Sequence, residues 1–124
     1  MTRKPDQGEL FPQQPPPDLE FVTVAQVGDI PEGEGRAYPV AGRMIAVFSA
    51  DGEHFAIDDF CPHQGASLAE GYLDNRCVAC PWHHWRFSIV DGRWLDSPKI
   101  KVDAFAVRIV DQDIQVSTTP IVEP

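Results

Sequence analysis

The chain has 124 residues, which suits one domain and leaves little over for a second core. Its apolar fraction of 43% is ordinary for a globular protein, and no stretch approaches the ~20 apolar residues that span a bilayer. A formal charge of −9 excludes nucleic acid as a general partner, because phosphate binding needs a basic face; the acidity either keeps the protein dispersed or steers it onto a basic partner.

Residues 1–19 carry Pro5, Pro12, Pro15, Pro16 and Pro17 with few apolar residues between them, which predicts an extended tail without a core of its own. The opening lacks the apolar run of a secretory signal, so the expected location is the cytoplasm. Residues 20–117 then read as one domain of short strands and tight turns, with 118–124 as a closing tail. Phe21 to Val24 forms the first strand, Gly33 and Gly35 mark a loop, and Arg36 to Val40 resumes extended structure. From Arg43 to Ser49, Met44, Ala46 and Phe48 share one face while Ile45 and Val47 share the other, the pattern of a central strand covered on both sides.

Asp51-Gly52 predicts a type I′ hairpin turn, because both central residues need positive φ, and Phe55 and Ile57 continue on the return strand. Asp91-Gly92 predicts a second hairpin, between 85–89 and 93–95. Asp111-Gln112-Asp113 predicts a third, between 105–110 and 114–116. No window has helical periodicity, so the fold class is all-β, a sandwich or small barrel. Segment 60–83 differs, being rich in Gly, Pro, Cys and His, and reads as an insertion carrying a site.

That site has two halves. Cys61-Pro62-His63 supplies one Cys and one His, and sixteen residues later Cys80-Pro81-Trp82-His83 supplies another such pair. Structural zinc sites usually pair Cys with Cys and His with His along the chain. Here each loop is mixed, which suits a 2Fe–2S cluster with two thiolates on one iron and two imidazoles on the other. A zinc ion in a non-redox binding module is the chemical alternative, since S₂N₂ coordination suits it too. Only three cysteines are present, an odd and low number that argues against a disulfide framework.

With these residues the sequence resembles the Rieske family, whose motif is C-x-H followed by C-x-x-H. The likeness includes the GASLAEGYL run after the first loop and the WRF and DGRW runs after the second, and more loosely spans the strands from 20 to 116. It implies an antiparallel β fold of three sheets, with a 2Fe–2S cluster held by Cys61, His63, Cys80 and His83 at the tip of a two-loop subdomain. Two ferric ions, two sulfides and two thiolates sum to zero charge, so reduction costs less than in a four-thiolate centre. High-potential relatives carry a disulfide between the loops and a Ser hydroxyl bonded to a sulfide. This chain has Ala66, Trp82 and Trp85 at the matching positions, which places its expected potential at about −150 mV, the low end of the Rieske range.

Other residues near the motif carry readings of their own. Cys77 is unligated in the family pattern and is expected to be a buried, inert thiol. His84 stands where relatives mostly have Gly and is the one visible departure; it either changes the local backbone or is tolerated there. Trp82 and Trp85 serve as core or as shields for the cluster. Pro62 and Pro81 stiffen the loops, and Gly65 and Gly71 allow tight turns. Asp58, Asp59, Glu70 and Asp74 are either a docking surface or a solvated face.

The resemblance implies a one-electron carrier. It is either a nitrite reductase small-subunit-like component, toward which CPWHHWRF leans, or a Rieske ferredoxin of a ring-hydroxylating dioxygenase system. Its implied partners are a flavin-dependent reductase and a terminal oxygenase or nitrite reductase large subunit, with no membrane and no nucleic acid. A complete oxygenase is not expected: it needs a second, mononuclear iron held by two His and a carboxylate, and once the cluster takes His63 and His83 only His54 and His84 remain, with no substrate-sized domain following.

Overall fold

The computed structural model describes residues 20–62, 65–81, 85–97 and 99–121. The expected Pro-rich tail, and His63, Trp82, His83 and His84, lie outside the described residues.

Nine antiparallel strands run through the described residues: β1 (Phe21–Gln26), β2 (Gly35–Val40), β3 (Arg43–Ala50), β4 (Glu53–Asp58), β5 (Tyr72–Asp74), β6 (Cys77–Ala79), β7 (Arg86–Ser88), β8 (Ala104–Val110) and β9 (Asp113–Pro120). Six form one sheet in the order β1-β9-β8-β4-β3-β2, and three form a second, β5-β6-β7. The large sheet curls until its end strands β1 and β2 meet. Side chains from all six of its strands then enclose one buried cluster, including Val40, Ile45, Val47, Ala56, Phe105, Ile114 and Val116. Two of the three expected sheets are thus the halves β2-β3-β4 and β8-β9-β1, joined where Ala56 and Ile57 of β4 pair with Phe105 and Ala104 of β8.

β3 is the wall between two cores, as its two-sided apolar pattern predicts. Ala46, Phe48 and Ala50 face a second cluster, shared with Leu68, Val78, Phe87, Ile89 and both Cys61 and Cys80. This second core glues the β5-β6-β7 subdomain to the large sheet and so fixes the candidate site relative to the fold. Ser117, the buried hydroxyl of β9, fills the β8 irregularity: its Oγ accepts from Ala106 N–H at 3.0 Å and donates to Thr119 O at 2.9 Å.

The Asp51-Gly52 turn has φ of 57° and 78°, as its sequence predicts. The Asp91-Gly92 turn is wider than a two-residue hairpin. Ser88 donates to Arg93 O and Gly92 to Ser88 O, both at 2.8 Å, leaving Ile89–Gly92 as the loop. The strand expected over 93–95 shrinks to isolated bridges, Phe87↔Trp94 and Arg93↔Lys101, because Trp94 N–H pairs with Ile100 O and turns the chain into a further loop. The last strand, expected over 114–116, runs from Asp113 to Pro120, since Thr118 N–H pairs with Glu20 O and Ile121 N–H with Ala104 O.

Candidate metal centre

The first loop leaves β4 at Asp58 and is zipped at its base. Cys61 N–H donates to Ala66 O at 3.0 Å, Gly65 N–H returns to Cys61 O at 2.7 Å, and Phe60 bridges to Ser67. Gly65 has φ of 80°, and a Cβ there would sit 2.9 Å from the Phe60 ring, so only glycine closes this turn. Below the zipper, Asp59 is buried at 8% exposure. Its Oδ1 accepts from Ser67 Oγ at 2.9 Å and from Ala69 N–H at 2.8 Å, and its carbonyl takes Leu68 N–H. Burial pushes the Asp59 carboxyl above the usual range, with the Ala69 and Ser67 hydrogen bonds opposing.

Asp58 anchors the same loop from the sheet side. Its Oδ2 takes Arg43 Nη2 at 2.6 Å and its Oδ1 takes Phe60 N–H at 3.0 Å, while Arg43 also reaches Asp103 at 3.1 Å. Two of the four acids that read as a docking or solvated face are therefore internal struts; Glu70 and Asp74 are exposed.

The second loop follows β6, where Val78 is buried opposite Phe87 of β7. Cys80 N–H donates to Trp85 O at 2.7 Å and closes it. β5 lies so close to β6 that a Cβ on Gly71 would collide with the Ala79 carbonyl, so Gly71 serves close approach and not a turn. Trp85 stacks on Trp94 with ring centroids 3.9 Å apart and planes 12° from parallel. A third loop, 94–100, is closed at its base by Trp94 N–H to Ile100 O at 2.9 Å.

Cys61 and Cys80 are wholly buried and belong to one cluster, although nineteen positions separate them in the sequence. Two sulfurs removed from water, each at the root of a loop closed by backbone hydrogen bonds, fit a metal–sulfur centre seated where the loops converge. The sequence-predicted imidazole donors, His63 and His83, lie outside the described residues. Cys77 is half-buried on β6, paired with Ser88, and so less covered than expected. Burial raises its thiol pKa, with Arg86 opposing and Asp74 and Asp91 adding to the shift.

The model of the Rieske [2Fe-2S] domain matches residues 20–116. The chain belongs to that family. Membership implies a Rieske-type 2Fe–2S cluster and makes this domain a one-electron carrier, which resolves the choice between cluster and zinc. The Rieske domain is 32% identical over 97 residues to the ferredoxin component of the naphthalene 1,2-dioxygenase/salicylate 5-hydroxylase systems of a Ralstonia species, covering 77% of this chain and 93% of that one. Among solved structures it resembles a chain in the complex of reduced oxygenase and oxidised ferredoxin of carbazole 1,9a-dioxygenase. There the TM-score is 0.75 at 28% identity, over 83% of this chain and 97% of that one. A Mycobacterium tuberculosis protein assigned as the small subunit of an NADH-dependent nitrite reductase shares the fold, with a TM-score of 0.77 at 24% identity over 83% and 98% of the two chains.

The sequence spacing singles out the two cysteines that the fold buries in one cluster, but not Arg43 and Ser67, which brace the first loop. Phe60, 62% exposed beside Cys61, also escaped it. An exposed aromatic next to a ligand loop has no periodic signature; only the coordinates show which way its ring faces.

Proposed function

We propose that this Rieske domain is the ferredoxin component of an oxygenase system, taking single electrons from a flavin-dependent reductase and passing them to a terminal oxygenase in the cytoplasm. The observation that carries this reading is the end-to-end match to ferredoxin components, 93% of one relative's length and 97% of another's, at 28–32% identity. The nitrite reductase small-subunit reading draws on Trp82 and on a likeness at 24% identity, which speaks for the fold alone.

Cys61 and Cys80 would hold one iron, and His63 and His83 the other. The bound cluster supplies one reversible electron at fixed geometry. The chain's own residues exclude water from both sulfurs, clamp each loop by a backbone hydrogen bond, and tie the first loop to the sheet through Asp58, Asp59 and Arg43. Phe60 and Tyr72, 62% and 73% exposed, flank the loops as apolar contact points for a partner.

The test is anaerobic purification followed by reconstitution. A brown protein with iron, acid-labile sulfide and an EPR signal on reduction is expected, with the signal lost in His63→Ala and His83→Ala. It should support oxygenase turnover in the presence of a flavin reductase. A colourless, iron-free protein would sink the carrier reading. Electron delivery to a nitrite reductase large subunit, and to no oxygenase, would overturn the ferredoxin reading in favour of its rival.

A further inference from the structure

Among the described residues, the indole Nε1–H of Trp94 is a buried side-chain donor with no hydrogen-bond acceptor. Indole nitrogen can only donate, and an unpaired buried donor costs more than an ordinary hydrogen bond contributes. One face of the ring stacks on Trp85 at 3.9 Å, and the Trp94 backbone is pinned by its pairing with Ile100 O and its bridge to Phe87.

Trp94 packs against the buried cluster that contains Cys61 and Cys80; the other members, among them Ala46, Phe48, Leu68, Val78 and Phe87, have hydrocarbon side chains. Trp85, the stacking partner, hands its carbonyl to Cys80 N–H, so the indole pair is mounted on the second ligand loop. A sulfide or a metal-bound thiolate carries the electron density that a buried N–H needs, and more of it after reduction.

We propose that Trp94 Nε1–H donates a hydrogen bond to the sulfur end of the bound cluster and thereby raises its reduction potential. This rests on the reading that Cys61 and Cys80 hold that cluster. It makes Trp94 a tuning residue contributed by the third loop, outside both ligand loops.

Trp94→Phe keeps a ring on Trp85 and removes only the donor. The expected result is a brown protein of unchanged thermal stability or slightly lower, with a midpoint potential shifted negative. In parallel, the wild-type protein is labelled with ¹⁵N at the indole nitrogens of its three tryptophans, and pulsed EPR is recorded on the reduced state. A ¹⁵N coupling is expected that persists in Trp82→Phe and Trp85→Phe and disappears in Trp94→Phe. Brown Trp94→Phe protein at the wild-type potential would overturn the inference while leaving the carrier reading intact. So would the absence of any indole coupling in wild type, even if Trp94→Phe fails to load. A colourless wild type would instead remove the carrier reading and this inference with it.

Discussion

Asp59 is a carboxylate in a place where carboxylates are rare, and its environment explains why it stays. Ser67 Oγ–H and Ala69 N–H converge on its Oδ1 while Leu68 N–H donates to its main-chain carbonyl, and together they fold the chain back after the first loop. Asp59→Ala leaves the Ser67 hydroxyl and the Ala69 amide unpaired and is expected to cost about 1–3 kcal/mol in denaturant unfolding. Asp59→Asn keeps an acceptor at Oδ1 and should lie close to wild type. Equal losses in both variants would mean that the charge matters and not the hydrogen bonds. Nothing in the sequence separates Asp59 from Asp58, Glu70 or Asp74, because convergence of donors is a property of the folded loop. Cys61 and Cys80, proposed as ligands, stand out in the sequence for the opposite reason: metal chemistry fixes residue type and spacing together. Cys77 falls between. Its raised thiol pKa means a smaller thiolate fraction than a free cysteine has at any pH near neutrality. Alkylation of the holo protein is therefore expected to be slow at pH 8 and to rise at a pH above the ordinary thiol value of about 8.5. By linkage, a folded pKa above the unfolded one favours the native state below that ordinary value, and this contribution is lost as pH climbs through the folded pKa. Cys77→Ser should leave the EPR signal of the reduced protein unaltered; a lost signal would make Cys77 a ligand.

Turn chemistry decided how much of each element could be read. Asp51-Gly52 announces its hairpin because Asp and Gly both tolerate positive φ. Ala41-Gly42 and Asn75-Arg76 adopt the same doubly positive backbone, at φ of 52° and 86° and of 54° and 62°, yet Ala and Arg are poor advertisements for it. Strands β5 and β6 stayed hidden for a related reason. Each has three residues, too few for an alternating pattern, and their pairing depends on close approach at Gly71. That contact gives an element-level prediction. Gly71→Ala forces a methyl against the Ala79 carbonyl and must push β5 away from β6. The expected cost is about 1–3 kcal/mol of stability, as in other overpacked sites, together with faster bleaching of the cluster in air. A stability loss without faster bleaching would show that β5 braces the fold but not the second ligand loop.

At the scale of the whole molecule, the described residues form two cores that share β3, and the second ties the small sheet to the large one. The second core carries Cys61 and Cys80, and Arg76 adds a brace from the β5–β6 turn. Its Nε meets Asp51 Oδ2 at 3.0 Å, and its guanidinium lies over the Phe55 ring at 5.0 Å. The sandwich was readable from strand spacing; its closure into a curled six-stranded sheet was not, because the β4–β8 junction rests on two residue pairs distant in sequence. Charge acts at this same scale. With a net −9, the protein should be drawn to a basic partner over distances set by the Debye length, about 30 Å at 0.01 M salt and about 8 Å at 0.15 M. The second-order rate of electron transfer to an oxygenase of the proposed kind, followed by stopped-flow loss of the reduced-cluster spectrum, is expected to fall steeply across that range. Phe60→Ala removes an exposed apolar contact beside Cys61 but no charge, so it should lower the rate at every salt concentration and leave the slope alone. Steering and contact are thereby separable. A rate indifferent to salt would assign the acidity to dispersion in solution, whereas a Phe60→Ala protein as fast as wild type would move the docking face away from the first loop.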